Sequence, residues 1–379
     1  MFGKVFSKTK VNVGRQLELD IVKCFAIVLM ILVHCFGFCA VCSFEGSLME
    51  HVFLFLQFSA PLFMFCMGCG MIYTRHNTAS DFISRGWKLF LMGFIINGFY
   101  ALSGLIGGQE IEYVLLSLLS NDILQFAGLS FIVIGLLKKC KFSLFKILIV
   151  AVLFSVLGSI FNHNDFESNI WLGQILGHII AAEGYKVVSC FPLLNWFIVP
   201  VVGMVFGDLL IRTFNKESGR TSLYPAKKVH ESFVSKNDFY KVIAGLTVPF
   251  GALVFIAGNL TREGMFSSVG GRVFEKLDYI HINTFDVVLL IIMLLAIIAV
   301  AYYVMPYLGD TVKNVIKMCS RNVTNIYIIQ WALILLVINP LAMLLGVESS
   351  YLSAVLTILF VTVGSAVLAE VYRKRKMQK

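Results

Sequence analysis

Residues 15–34 read RQLELDIVKCFAIVLMILVH. An apolar run of this length is a helix that crosses a bilayer. It nevertheless carries Arg15, Glu18, Asp20, Lys23 and His34. Ionisable groups in such a helix are costly and mark function by default. Positions 20, 23, 27, 30/31 and 34 recur at i+3/i+4, so Asp20, Lys23 and His34 share one face. Lipid would penalise that face, and it is expected to turn into a helix bundle.

The remainder of the chain has the same character. Of its 379 residues 58% are hydrophobic and 14% charged, and the mean hydropathy is +0.85. Soluble domains have about 45–50% apolar and about 25% charged residues. This excludes a water-soluble domain, a disordered chain and a disulfide scaffold. The expected fold class is all-α, a polytopic transmembrane helix bundle forming one integral-membrane domain over 1–379. A span needs about 20 apolar residues. Ten segments qualify, near 21–42, 52–73, 87–105, 122–137, 143–161, 191–211, 239–258, 284–304, 324–346 and 351–371. A short extra helix is expected near 113–119.

Charge distribution tests this topology, because cytoplasmic loops collect Lys and Arg. With the N-terminus inside, 26 of the 31 Lys and Arg fall in inner segments and four in outer loops, Lys186, Arg262, Arg272 and Lys276; Lys23 lies within the first span. Both termini are therefore expected to be cytoplasmic, with an N-terminal segment over 1–18 and a basic tail over 372–379. Basic residues dealt out loop by loop are topology signals, so the net charge of +9 does not point to nucleic acid. The first span lacks a small-residue cleavage site and reads as an uncleaved anchor in a cell membrane. Most of the nine Cys sit in or beside apolar spans, where a free thiol behaves as a small hydrophobe; no metal site is expected.

Lys23 and His34 are separated by about 16 Å of helical rise and cannot touch. One elongated ligand could meet both, with an anionic group held low and a reactive group presented high. Coenzyme A has that shape. The plainer reading is that Lys23 snorkels to the headgroups and His34 bonds a neighbouring helix. His51, at the outer start of the second span, is the second candidate, and His178 a lesser one. Asp122, Gln125, Asn97, Asn195, Asn325, Tyr327, Gln330 and Trp331 are further polar positions in spans, where amides and hydroxyls most often hold helices together. Asp208 is expected to pair with Arg212 at i+4.

The segment 19–34, LDIVKCFAIVLMILVH, resembles the first-span signature of the membrane acyltransferase superfamily. That group includes acyltransferase family 3 and the heparan-alpha-glucosaminide N-acetyltransferase-like proteins. Four later stretches are similar to the second branch: SAPLFMFCMGCGMIY (59–73) with SRGWKLFLMGFIIN (84–97), NDILQFAGLSFIVIGLL (121–137), CFPLLNWFIVPVVGMVFGDLL (190–210) and RNVTNIYIIQWALI (321–334). The resemblance implies an enzyme that takes an acyl group, here acetyl, from acyl-CoA and delivers it to a glycan or other hydroxyl or amine acceptor. Family 3 carries Arg-x10-His in its first span. Lys23 stands at that Arg position, which keeps the charge and loses the bidentate fork, and His34 keeps the histidine. In the heparan branch the catalytic histidine lies further on, past an Asn that would fall at His34. Glu45 and Ser47 lie nearest to its expected place, and His51 is the closest histidine.

His34 is therefore expected as general base, with His51 the other catalytic candidate. Lys23 and Arg85 would hold CoA phosphates, with Asp20 grouped at that end. Asp122, Gln125, Asn195, Asn325 and Gln330 are the substrate and oxyanion candidates. Direct transfer and a ping-pong route through an acyl-histidine both remain open. The expected partners are acyl-CoA, the acceptor and the bilayer, with a homodimer left open. The rival class is a secondary transporter, proton-coupled through Asp20, Lys23 and His34; its mark would be broken helices in matching places of two halves, and no such symmetry is visible.

Overall fold

The computed structural model describes residues 4–39, 41–42, 56, 58–162, 170–181, 191–215, 233–260, 279–347 and 349–378. The described residues are helical, with two isolated bridges (Val5 to Phe233, Phe214 to Ser235) and no strand. In chain order the helices are α1 (Leu17–Phe38), α2 (Ser59–Tyr73), α3 (Ala79–Ile106), α4 (Ile111–Ser117), α5 (Ile123–Lys139), α6 (Leu144–Phe161) and α7 (Ile170–Leu176). They continue with α8 (Leu193–Ile211), α9 (Lys236–Leu260), α10 (Thr284–Val304), α11 (Asp310–Arg321), α12 (Val323–Leu345) and α13 (Tyr351–Met377). A wide π turn over Leu333–Ile338 interrupts α12.

Among the described residues, seven helices are long and apolar enough to cross a membrane: α1, α3, α6, α8, α12, α13 and the run Thr284–Tyr307. The segments expected as second, fourth and seventh spans are the helices α2, α5 and α9. At 15 residues, α2 rises about 22 Å, short of the roughly 30 Å of hydrocarbon. The short helix expected near 113–119 begins slightly earlier, at Ile111.

Helix α1 lies inside the bundle, packed by α2, α10, α11, α12 and α13. Its buried residues include Asp20, Ile27, Met30 and Ile31, while Phe25 and Val28 on the other side are exposed. The polar stripe thus turns inward, as the cost of charge in lipid requires. Other helices meet more closely still. Along the crossing of α2 and α8, a methyl group on Gly68 would overlap the Pro200 carbonyl and one on Gly203 would overlap that of Phe65. Small residues there let the backbones touch.

The basic segments gather at one end of the bundle. Arg15 donates to the Lys317 carbonyl at 3.2 Å, Lys10 to that of Ile72 at 3.5 Å and Lys138 to that of Asn77 at 2.8 Å. Asn322, next to α11, reaches Glu370 near the end of α13 at 2.8 Å. The N-terminal strap runs along the end of α8, with Ser7 N on the Arg212 carbonyl at 3.1 Å and Val11 N on that of Ile211 at 3.0 Å. Arg212 pairs with Asp208 at 2.9 Å, the expected i+4 contact.

One charge at this end departs from the sequence reading. Lys236, one of the 26 Lys and Arg counted there in the inner segments, is only 8% exposed. Its Nζ lies 2.8 Å from Oε1 of the fully buried Glu18 and donates to Gln16 Oε1 at 2.7 Å. Tyr240 donates to the same carboxylate at 3.0 Å. A buried pair is tolerable because every polar atom has a partner, and breaking one side leaves a naked charge that costs about 3–5 kcal/mol. Lys236→Met should therefore lower the thermal unfolding temperature of the detergent-solubilised protein by several degrees, and an unchanged temperature would show that Glu18 does not depend on it. Gly203→Ala should also destabilise, because α8 must move away from α2 to admit the methyl group.

Candidate active site

Two cavities lie along the inward face of α1. The lower one, of about 320 Å³, opens among Lys23, Arg85 and Arg321 at the basic end and is also lined by Asn325, Cys66 and Leu89. The upper one, of about 650 Å³, is lined by His34, Asn97, Tyr100, Asn121, Asp122 and Trp331 among others. Met30, Phe63, Ile123 and Tyr327 line both. The two cavities are therefore neighbours, and the side chains of α1, α2, α5 and α12 that both touch form the waist between them. Because α1 is unbroken from Leu17 to Phe38, Lys23 and His34 sit at two levels about 16 Å apart along its axis.

His34 is held from α12 on three sides. Gln330 Nε2 lies 2.8 Å from its Nδ1. Trp331 stacks on the ring with centroids 4.0 Å apart and 29° between planes, and Tyr327 meets it edge-on at 5.8 Å. The Tyr327 hydroxyl in turn donates to Asp122. Residues 330 and 331 are adjacent, so a single turn of α12 supplies both the hydrogen bond and the stacking surface. A ring fixed in this way has one nitrogen, Nε2, left for chemistry.

Asp122 caps α5. Its carboxylate accepts from Ile123 N at 2.6 Å, and Gln125 Oε1 accepts from Asp122 N at 3.3 Å. This is a capping box, whose spacing is visible in sequence as an acid and an amide three residues apart. The box uses Gln125 for helix geometry; its nitrogen goes to the Ser120 carbonyl at 3.3 Å, its side chain packs against Gly93, and it is not among the residues lining either cavity. Asn195 is likewise engaged elsewhere. Its nitrogen donates to Asn162 at 2.9 Å and to the Ile282 carbonyl at 2.7 Å, joining α8 to α6 and the start of α10. Asn195 lines neither cavity.

The other candidates divide by level. Lys23 is half-buried and forms no ion pair among the described residues. The Arg85 guanidinium lies over the Phe131 ring, 4.8 Å from its centroid. Asp20 pairs with Arg15 and accepts from Ser320 at 2.5 Å, outside both cavities. It ties α1 to α11 beside the lower mouth. His178 packs against Phe90 at 6.1 Å, away from both cavities. His51, Glu45 and Ser47 lie outside the described residues. Sequence reasoning did not single out Arg321 or Asn121. Arg321 was one topology charge among many, and only tertiary packing brings it to the lower cavity.

Among comparisons with known proteins, no curated protein and no solved structure matches this chain. A family model does. Residues 15–237 match the one described as heparan-alpha-glucosaminide N-acetyltransferase, catalytic. The matched stretch runs from α1 into the start of α9. It includes Lys23, His34, Phe63, Arg85 and Asp122, residues on both levels of the site, while Tyr327, Gln330 and Trp331 lie beyond it. On this match over more than half its length, the chain belongs to the heparan-alpha-glucosaminide N-acetyltransferase catalytic family, a family of membrane acetyltransferases.

Proposed function

We propose that the protein transfers an acetyl group from acetyl-CoA to a hydroxyl or amine acceptor, with His34 as general base. The observation that carries this reading is the pair of neighbouring cavities that share Met30, Phe63, Ile123 and Tyr327 at the waist between them, with cations in the lower one and an imidazole in the upper. An extended thioester fits that layout. Lys23, Arg85 and Arg321 would hold its phosphates at the basic end, which is the cytoplasmic end on the charge rule. The pantetheine arm would pass the waist and bring the acetyl group to His34. The family match speaks for the enzyme and not for the transporter.

In the proposed step the acceptor oxygen or nitrogen attacks the thioester carbonyl carbon while His34 Nε2 takes its proton. This requires the other ring proton to sit on Nδ1. Gln330 meets that need when its amide is turned so that the oxygen faces Nδ1, since the two ends of an amide are interchangeable by a half-turn. The turn also gives Gln330 Oε1, otherwise buried without a partner, a donor. The tetrahedral oxyanion then collapses, the C–S bond breaks, and the CoA thiolate recovers the proton from the imidazolium. Tyr327 lines both cavities, but its hydroxyl donates its proton to Asp122; of the oxyanion candidates Asn195, Gln125 and Asn325, it is Asn325 that lines a cavity, the lower one. A direct transfer needs no acyl-enzyme, because donor and acceptor reach His34 from opposite sides of the waist.

The test is acetyl transfer from labelled acetyl-CoA by the purified full chain. His34→Ala should reduce turnover by roughly 10²–10⁴-fold, and wild-type turnover would remove His34 as base. Lys23→Ala and Arg85→Ala should each raise the KM for acetyl-CoA with little change in kcat, the pattern of lost ground-state binding. Asn195→Ala serves as the opposite control. It should lower thermal stability by about 1–3 kcal/mol and leave turnover per folded molecule unchanged. A large loss of turnover in a stable Asn195→Ala protein would return the oxyanion to that residue.

A further inference from the structure

We infer that Cys39 and Cys42 are joined as a disulfide at the extracytoplasmic end of α1, formed by exchange with a thiol–disulfide oxidoreductase of that compartment. The helix ends at Phe38, and Cys39 leaves it in extended conformation (φ −96°, ψ 121°). Cys42 N then donates to the Cys39 carbonyl at 3.2 Å and closes a four-residue turn. Such a turn holds its first and last Cα atoms within about 7 Å of each other, and a disulfide bridges about 4.4–6.8 Å. The side chains meet as well. The Cys42 thiol is hydrogen-bonded with those of Cys39 and Cys35, and Thr357 of α13 reaches it too. Ser353 of the same helix donates to the Val41 carbonyl at 3.1 Å, so the turn is seated on α13.

Packing as a small hydrophobe accounts for a single buried thiol and leaves three in mutual contact at one helix end unexplained. This end lies opposite the basic one, so on the charge rule it is extracytoplasmic, where disulfides form and persist. Cys39 is 7% exposed, against 0% for Cys35 and 1% for Cys42, and exchange therefore begins at Cys39. Its thiolate attacks the disulfide of the oxidoreductase, which gives a mixed disulfide and releases one thiol of that protein. The Cys42 thiolate then displaces the other. Two S–H bonds of the chain are lost and one S–S bond forms, and the oxidoreductase leaves as a dithiol with the two electrons and two protons. A closed loop this short removes little chain entropy, so the bond fixes local geometry more than overall stability. What it fixes is the end of α1. The carbonyl of Phe38, the residue before Cys39, accepts from Asn339 at 2.8 Å, and the Phe38 ring meets Trp331 with centroids 5.1 Å apart, in the wall of the upper cavity.

The test measures no acetyl transfer, so its result is separate from the fate of the acyl-transfer reading. The full chain is produced in cells whose outer compartment holds a thiol–disulfide oxidoreductase. Their membranes are dissolved in denaturing detergent with N-ethylmaleimide, then reduced and treated with iodoacetamide, and the label on each Cys is read by mass spectrometry. Cys39 and Cys42 should carry the iodoacetamide label in most molecules. Cys35, and Cys140 exposed at the basic end, should carry N-ethylmaleimide. Cys35→Ser should leave this pattern unchanged, and Cys42→Ser should return Cys39 to N-ethylmaleimide. N-ethylmaleimide on all three thiols of the wild type would reduce the cluster to packing and overturn the inference. So would a bond from Cys42 to Cys35, or from either Cys39 or Cys42 to Cys190, which lies outside the described residues. Where a variant fails to accumulate, the labels on the wild type decide the pairing by themselves.

Discussion

A membrane helix that carries charge must be shielded from lipid, and the bundle is arranged to meet that constraint for α1. Its outward side, with Phe25 and Val28, is what a bilayer accepts. Its inward side holds Asp20, Lys23 and His34, and five other helices close around it. Glu18 at the entry to the same helix is neutralised by Lys236 and Tyr240, and Asp20 by Arg15 and Ser320. Both carboxylates are thus engaged within the protein. Lys23 and His34 instead border open space, and this separates them from the two paired carboxylates along one helix.

The chemistry proposed for the site follows from that separation. The lower cavity presents cations and the upper one acceptors and aromatic rings, so each suits a different substrate. The waist between them is mostly apolar, with Tyr327 as its polar residue. A thioester is the part of acyl-CoA best suited to such a place. It is uncharged and becomes anionic only during transfer, where a positioned donor has most effect. The hydrogen bond between Gln330 and His34 Nδ1 and the stacking of Trp331 fix the orientation of the imidazole.

Much of this was legible in sequence where the signal is local. The i+3/i+4 spacing from Asp20 to His34 gave the inward stripe, and the apolar lengths gave the helices that carry it. The asymmetry of Lys and Arg fits an arrangement in which Arg15, Lys138, Lys317 and the end of α13 lie at one end of the bundle. The sequence could not show contacts between residues far apart in the chain. Gln330 and His34 are separated by 296 positions and Tyr327 and Asp122 by 205. Nothing in either segment names the other. Amides were the least readable class, since helix packing and catalysis use the same group. Asn195 and Gln125 lie outside both cavities, in helix packing and capping, whereas Asn97 and Asn121 line the upper one. The capping role of Gln125 was available from its spacing to Asp122. The burial of Lys236 was not, because its partner Glu18 lies 218 residues away.

The most direct measurement is a structure of the protein with acetyl-CoA bound, in which the position of the thioester is read against the two cavities. The phosphates should lie among Lys23, Arg85 and Arg321, the arm should cross the waist at Met30 and Tyr327, and the acetyl carbonyl should sit beside His34 Nε2 with room for an attacking atom about 3–3.5 Å away. Acetyl-CoA lying wholly in the lower cavity, or bound outside the waist with its acetyl group remote from His34, would contradict the two-level arrangement on which the mechanism stands.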